Sequence, residues 1–160
     1  MPDAMKKRIT FERSYEAPVE EVWDLWATKE GLESWWGPEG FTVVVHQIEL
    51  RPGGVLEYAM TATGPEQVEF MKRAGMPLTT TARVTYTQVV LHRRLGYRHL
   101  VDFVPGLAPY DVATNVEFQS TRTGTKMTVT IDAMHDDTWT QRASMGWESQ
   151  LRRLDSVLRS

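Results

Sequence analysis

Trp35-Trp36-Gly37-Pro38 is the most informative stretch of this 160-residue chain. Two adjacent tryptophans cannot both face one side of a helix or a strand, so one is expected in the core. The other is then directed toward a surface, a cavity or a partner. Gly37-Pro38 ends the preceding segment and fixes where the rings point. The stretch therefore suggests a hollow fold lined by aromatic side chains.

The residues before this stretch predict one strand and two short helices. Residues 8–15 alternate between the two faces of an extended chain, which is typical of a half-buried strand. Pro18 favours the start of a helix, and apolar residues at positions 19, 22, 23 and 26 form one helical stripe. A break near Thr28 predicts a second short helix, which carries the two tryptophans and ends at Gly37-Pro38.

The rest of the chain predicts antiparallel strands and one long helix. The strand patterns cover residues 41–50, 55–62, 82–90, 95–103, 112–118 and 126–133. An irregular insertion at 64–81, with a helical turn at 66–74, separates the third strand of the chain from the fourth. Asp136 or Asp137 is expected to cap the final helix. A curved sheet around one helix does not close tightly at both ends, so a cavity is expected between them.

Composition and charge favour an ordinary soluble globular protein. The chain is 41% hydrophobic and 24% charged, and its net charge of -3 argues against a nucleic-acid-binding protein. It contains no cysteine, so neither disulfides nor thiolate chemistry are expected. No apolar run approaches the roughly 18 residues of a membrane span, and the first residues lead into no apolar signal segment. We therefore expect a cytoplasmic protein.

Several short motifs together resemble one known family. The chain is similar to the SRPBCC (START-like, Bet v 1-like) superfamily and, within it, to the family named for the C-terminal domain of the activator of Hsp90 ATPase. The matching positions are Ala17-Pro18, Val22-Trp23, Trp35-Trp36-Gly37-Pro38, Arg51-Pro52-Gly53-Gly54 and Gly146-Trp147 with Leu151 and Leu154.

The resemblance covers residues 8–158 and implies one domain over residues 1–160. It implies an α+β helix-grip fold, in which a curved antiparallel sheet of six to seven strands wraps around the long C-terminal helix and encloses a hydrophobic pocket. It implies no shared reaction, because a fold does not fix a function. Related folds often pair through sheet edges or exposed loops, so a homodimer is an option.

No combination of residues predicts catalysis or metal binding. The four histidines have no metal-ligand spacing; they are His46, His92, His99 and His135. The run His135-Asp136-Asp137 fits a helix cap better than a metal or acid–base site. His99 is interpreted as a buried histidine, with a polar group facing the pocket as the alternative. We expect no catalytic residue, no metal and no cofactor.

Aromatic and methionine side chains supply the candidate ligand pocket. Methionine adapts to irregular space, and the apolar insertion is interpreted as a flap over the pocket. Trp35 is assigned to the cavity wall, while Trp36 is expected to pack with Pro38 and Phe41. The predicted pocket residues are Trp35, Phe41, Tyr58, Met60, Phe70, Met71, Met76, Tyr97, His99, Phe103, Trp139 and Met145.

These observations predict a protein that binds a small hydrophobic or amphipathic molecule, with no assigned reaction. One alternative is an enzyme of the cyclase or hydrolase type on the same scaffold, which needs an ionisable cavity residue with a perturbed pKa. The other is a protein-interaction or stress-response module of the co-chaperone type. Such a module would show an exposed apolar patch of several hundred Å².

Overall fold

A computed structural model describes residues 7–101 and 106–159 of the chain. Within these ranges seven strands and four helices follow one another in the order expected from the sequence, and one of the four helices lies in the insertion. The elements are β1 (Arg8–Tyr15), α1 (Val19–Ala27), α2 (Lys29–Trp35), β2 (Phe41–Ile48), β3 (Val55–Ala62), α3 (Pro65–Arg73), β4 (Thr79–Val90), β5 (Arg94–Val101), β6 (Tyr110–Ser120), β7 (Thr125–Asp132) and α4 (Asp137–Arg159).

All seven strands form one curved antiparallel sheet in the order β1-β7-β6-β5-β4-β3-β2. The register shifts between Val45 and Gln47 in β2 and between Tyr86 and Gln88 in β4, where an extra residue bends the strand. The long helix α4 covers the concave face. The predicted helix-grip α+β fold is therefore confirmed.

The two short helices are separated by Thr28. Its hydroxyl accepts a hydrogen bond from Gly31 N–H at 3.0 Å, so Thr28 caps the start of α2. The helix α2 ends at Trp35, and Trp36 already has the extended dihedral angles φ -63° and ψ 143°. Gly37 then takes φ +90°, a conformation that favours glycine. The chain reverses there and enters β2.

Aromatic side chains fill the core between the short helices and the sheet. The Trp26 ring lies 4.7 Å from Trp35, 5.7 Å from Trp36 and 6.2 Å from Trp147 on α4, measured between ring centroids. These four rings alone connect α1, the end of α2 and α4. Edge-on and offset rings of this kind contribute beyond their buried area, by about 0.5–1.5 kcal/mol per pair.

Polar contacts dock α4 against the turn after α2. Nη1 of Arg153 lies 2.9–3.3 Å from the carbonyl oxygens of Trp36, Gly37, Pro38 and Phe41. Three of these carbonyls belong to the helix end and the turn, and the fourth belongs to the first residue of β2. The Pro38 carbonyl also accepts the Phe41 N–H at 3.2 Å. One guanidinium group therefore joins the C-terminal helix to the tryptophan stretch.

One side chain also protects the outer edge of the sheet. The strand β2 is the last in the sheet order, and its Val45 N–H donates a 2.8 Å hydrogen bond to Oε2 of Glu33 on α2. Nζ of Lys29 lies 2.7 Å from the same oxygen. The carboxylate thus satisfies a backbone donor that no neighbouring strand can pair.

The insertion and several element boundaries differ from the sequence-based expectation: β2 ends at Ile48 rather than at residue 50, and β6 covers Tyr110–Ser120 rather than residues 112–118. The insertion contains a regular nine-residue helix, α3, and β4 begins at Thr79 rather than at residue 82. Pro18 precedes the first helical residue, Val19, instead of occupying the first helical position. At the start of α4, Oδ1 of Asp136 accepts the Trp139 N–H at 2.8 Å, which identifies the capping aspartate. None of the helices in the described ranges is long and apolar enough to span a membrane.

A hollow beneath the C-terminal helix as the candidate site

A hollow of about 310 Å³ lies between the concave face of the sheet and the N-terminal half of α4, and it is partly open to solvent. Its wall is mostly apolar. The lining residues come from the turn after α2, from β3 to β7 and from α4: Trp36, Pro38, Tyr58, Met60, Val84, Tyr97, His99, Val101, Val112, Thr114, Ile131, Asp132, Met134, Trp139, Arg142, Ala143, Gly146, Trp147 and Gln150.

Five of the predicted pocket residues meet in this hollow. Tyr58 and Met60 come from β3, Tyr97 and His99 from β5, and Trp139 from the first turn of α4. On each strand the two residues are two positions apart, so both of their side chains face the same side of the sheet. His99 therefore lies on the wall of the hollow, which was the alternative interpretation of this residue.

The positions of the two adjacent tryptophans are the reverse of those expected, since Trp36 rather than Trp35 lines the hollow. Trp35 is fully buried in the core, and its indole N–H donates to the Leu25 carbonyl at 2.7 Å. Trp36 and Pro38 line the hollow instead, whereas Phe41 does not reach it. The reason lies in the helix end, because Trp36 has left the helical conformation and no longer follows the helical spacing.

The insertion does not line the hollow. Phe70 is 60% exposed and Met76 is 48% exposed, while Met71 is buried elsewhere, and α3 contacts β3. Met145 on α4 is 64% exposed and also points away from the hollow. Phe103, another predicted pocket residue, lies outside the described residues.

Several lining residues were not predicted, although their pattern is present in the sequence. Val84, Val101, Val112, Thr114 and Ile131 occupy inward positions of their strands, and alternation with neighbouring polar residues marks most of them. On α4 the missed residues include Ala143, Gly146 and Gln150. Their signal is weaker, because small or polar residues on the buried side of a helix do not contribute to an apolar stripe.

Gly146 leaves the wall of the hollow beneath α4 without a side chain. A Cβ atom built at this glycine has no heavy atom within 4 Å, so the space beside it is open. Glycine inside a helix is less favourable than alanine by about 0.8–1.0 kcal/mol. At this position the helix therefore carries a residue that lowers its stability and adds no side chain to the hollow.

Two buried tyrosine side chains form part of the wall. The Tyr97 hydroxyl is buried away from solvent, and the Thr114 side chain lies beside it. Burial raises the pKa of Tyr97 well above its usual value of 10.0. Burial also raises the pKa of Tyr58, and the Trp36 side chain beside it partly offsets this rise. Both phenols therefore stay protonated near neutral pH and can donate hydrogen bonds.

The charged and amide groups of the wall are already oriented by the protein. Asp132 accepts the Ala113 N–H at 3.1 Å through Oδ2, and its Oδ1 lies 3.5 Å from Nε of Arg8. Oε1 of Gln150 accepts the Gly37 N–H at 3.0 Å. At the outer end, the Arg142 guanidinium lies 5.0 Å from the Trp139 ring centroid, a cation–π distance.

Other depressions of the surface have a different character. The depression between Arg94, Glu117 and Lys126 on the outer face of the sheet is lined mainly by polar and charged side chains. Where the structure describes side chains, histidine, aspartate and glutamate form no group of three that could hold a metal ion. The hollow beneath α4 is therefore the candidate site of the protein.

Comparison with known proteins agrees with this architecture. The family model for the activator of Hsp90 ATPase homolog 1-like protein (AHSA1) matches residues 16–159. The chain belongs to this AHSA1-like family. Among curated proteins, no sequence matches the chain.

Several solved structures share the AHSA1-like fold at low sequence identity. A protein of Chromobacterium violaceum superimposes with a TM-score of 0.77 at 22% identity, over 96% of this chain and 97% of its own. The AHSA1 protein of Silicibacter pomeroyi gives a TM-score of 0.74 at 19% identity, over 96% and 98%. A protein of Arthrobacter aurescens gives 0.74 at 21% identity, over 99% and 90%. At these identities the likeness shows the fold alone.

Proposed function

We propose that this AHSA1-like protein binds a small apolar or amphipathic molecule in the hollow beneath α4, with no reaction assigned to it. The observation that carries the proposal is the hollow itself, about 310 Å³ with a mostly apolar wall. Ligand pockets span about 300–1,000 Å³, so this volume suits a compact ligand of one or two rings.

The free energy for binding would come mainly from burial of apolar surface. Each Å² of apolar ligand surface removed from water contributes about 25 cal/mol. The rings of Trp36, Trp139 and Trp147 offer flat, rigid walls that lose little conformational entropy when a ligand packs on them. These features favour binding of a flat apolar molecule over binding of a strongly solvated one.

The wall gives less support to an enzyme. A general base or nucleophile needs a pKa matched to neutral conditions and a partner within hydrogen-bonding reach. The tyrosine pKa values are shifted away from neutrality, and the Asp132 carboxylate is bonded to a backbone N–H and close to Arg8. These groups suit binding and orientation rather than proton transfer.

The glycine in α4 provides a direct test with a matched control. The fluorescent probe 8-anilinonaphthalene-1-sulfonate should bind the native wild-type protein saturably. Gly146→Leu should weaken this binding at least about tenfold, since its side chain occupies the hollow, and overpacking costs about 1–3 kcal/mol. Gly146→Ala is the control, because it makes the same change in backbone freedom and adds a single methyl group.

Both variants should unfold at higher urea concentration than the wild type, because both residues favour the helix over glycine. Loss of probe binding in a more stable protein excludes misfolding as its cause. Equal probe binding by wild type and Gly146→Leu, or binding only in partly unfolding urea, would refute the proposal.

A further inference from the structure

Three side chains that line the hollow can carry a charge near neutral pH. Among the described residues they are His99, Asp132 and Arg142. An imidazole is either neutral or positively charged, so within the described ranges Asp132 is the single anion of this wall. The groups around Asp132 and Arg142 therefore decide which ligand charge the wall favours.

The charge of Asp132 is already balanced by the protein. Its Oδ2 accepts the Ala113 N–H at 3.1 Å, and its Oδ1 lies 3.5 Å from Nε of Arg8. Opposite charges this close together offset much of each other's field at longer range. Asp132 therefore repels an anion in the hollow only weakly, and it offers little net attraction to a cation.

The charge of Arg142 is not balanced in this way. This side chain is exposed at the outer end of the hollow, and within the described part of the chain no carboxylate forms an ion pair with it. On the same helix, Arg152 pairs with Glu39 at 3.0 Å, and Arg153 contacts backbone carbonyls. The guanidinium of Arg142 is therefore available to an anionic group that arrives from solvent.

A row of aromatic rings holds Arg142 beside the hollow. The Tyr110 hydroxyl lies 2.7 Å from Nδ1 of His135, and the His135 ring centroid lies 6.0 Å from that of Trp139. The Arg142 guanidinium in turn lies 5.0 Å from the Trp139 ring centroid. Oδ1 of Asp136 accepts the Trp139 N–H, so this nearby carboxylate is engaged by the helix end. The cation is therefore held in place before a ligand arrives, which lowers the entropy cost of pairing with it.

We propose that the ligand of the hollow is an amphipathic anion, whose flat apolar body lies between α4 and the sheet and whose anionic group pairs with Arg142 at the outer end. This inference rests on the proposed function and adds the charge of the ligand. Because Arg142 is exposed, the anionic group keeps part of its hydration, and binding does not require the full cost of burying a charge. The apolar body alone enters the space beneath the helix.

The test uses two flat probes of equal heavy-atom number, 2-naphthoate and 2-naphthamide, which differ by one negative charge at neutral pH. Titration calorimetry gives the dissociation constant of each probe for wild type, Arg142→Gln and Arg152→Gln. Arg152→Gln is the matched control, because it removes the same charge from the same helix at a residue that does not line the hollow.

The measured quantity is the dissociation constant of the amide divided by that of the naphthoate, in which differences in solvation of the free probes cancel between variants. Arg142→Gln should lower this ratio about three- to fivefold, the effect of one exposed ion pair. Arg142→Glu should lower it further, and Arg152→Gln should leave it unchanged. Raising NaCl from about 0.02 M to 0.5 M should lower the ratio in wild type much more than in Arg142→Gln, since salt screens the pair.

The two proposals fail in different ways. If both probes bind the wild type and the ratio is the same in Arg142→Gln, the hollow binds ligands but the inference about charge is wrong. The inference is also wrong if Arg152→Gln lowers the ratio as much as Arg142→Gln, because the effect then belongs to the net charge of the protein. If neither probe binds the folded wild type, the proposed function fails, and this inference with it.

Discussion

Replacing Arg153 by methionine should destabilise the protein far more than the same replacement at its neighbour Arg152. Methionine keeps most of the apolar stem of arginine and removes the charge and the donors. Nη1 of Arg153 lies within 3.3 Å of four carbonyl oxygens at the end of α2, in the turn that follows and at the start of β2. Arg152 instead pairs with Glu39 at 3.0 Å, and both of these side chains are more than half exposed.

The size of the effect follows from the number of hydrogens. One Nη1 group carries two hydrogens, so it makes about two full-strength hydrogen bonds at a time, shared among four oxygens. A hydrogen bond to a charged group contributes about 1.5–3 kcal/mol. The Arg153 side chain is only partly buried, so solvent screening reduces the sum. We expect Arg153→Met to lower the free energy of unfolding by about 2–3 kcal/mol.

Urea unfolding followed by tryptophan fluorescence measures this difference directly, because the chain has six tryptophans and Trp36 adjoins the contact. A loss of 2–3 kcal/mol corresponds to a midpoint shift of about 1–2 M urea. The exposed Arg152 pair should give little change upon Arg152→Met. Equal midpoints for the two variants would show that the four carbonyls are satisfied without Arg153, and the reasoning would be wrong.

Two further predictions concern single side chains. Hydrogen bonds from Lys29 and the Val45 N–H lower the pKa of Glu33 below 4.5 in the folded protein, so its stabilising contribution is present above that value and is lost as the pH falls through the lowered pKa. Glu33→Gln should therefore lose less stability than the wild type when the pH falls from 7 to 3.5. If the urea midpoint falls by the same amount in both proteins between these two pH values, the prediction is wrong. Tyr86→Phe should raise the free energy of unfolding by about 1 kcal/mol, because it removes a buried hydroxyl without a partner; a measured loss of stability would show that the hydroxyl is satisfied.

The sequence predicted most of the fold because each element has a local period. The stripe of Val22, Trp23 and Trp26 is buried in α1, and the turn at Pro52-Gly53-Gly54 connects β2 and β3. These patterns depend only on which face of one element is apolar. The insertion was predicted less well, since Phe70 is apolar yet exposed, and its local pattern does not reveal where α3 packs.

The candidate site was harder to predict because it depends on how elements face one another. One residue along a helix turns the side chain by about 100°, so Met145 points away while Gly146 and Trp147 line the hollow. The reversed positions of Trp35 and Trp36 have a related cause, because the helix ends between them. Strand residues were easier to place, since alternation leaves only two faces to choose from.

The contact between Glu33 and β2 has a consequence for self-association. An exposed edge strand offers its backbone donors to any extended peptide, and pairing of that kind begins many aggregates. At Val45 the donor is already taken by a carboxylate, and an incoming strand would have to place a carbonyl oxygen against that negative charge. The Glu33 carboxylate thus disfavours the addition of a strand at this edge of the sheet, and this effect requires the carboxylate to be ionised. In acid, where Glu33 is protonated, we expect the same edge to accept an added strand more readily.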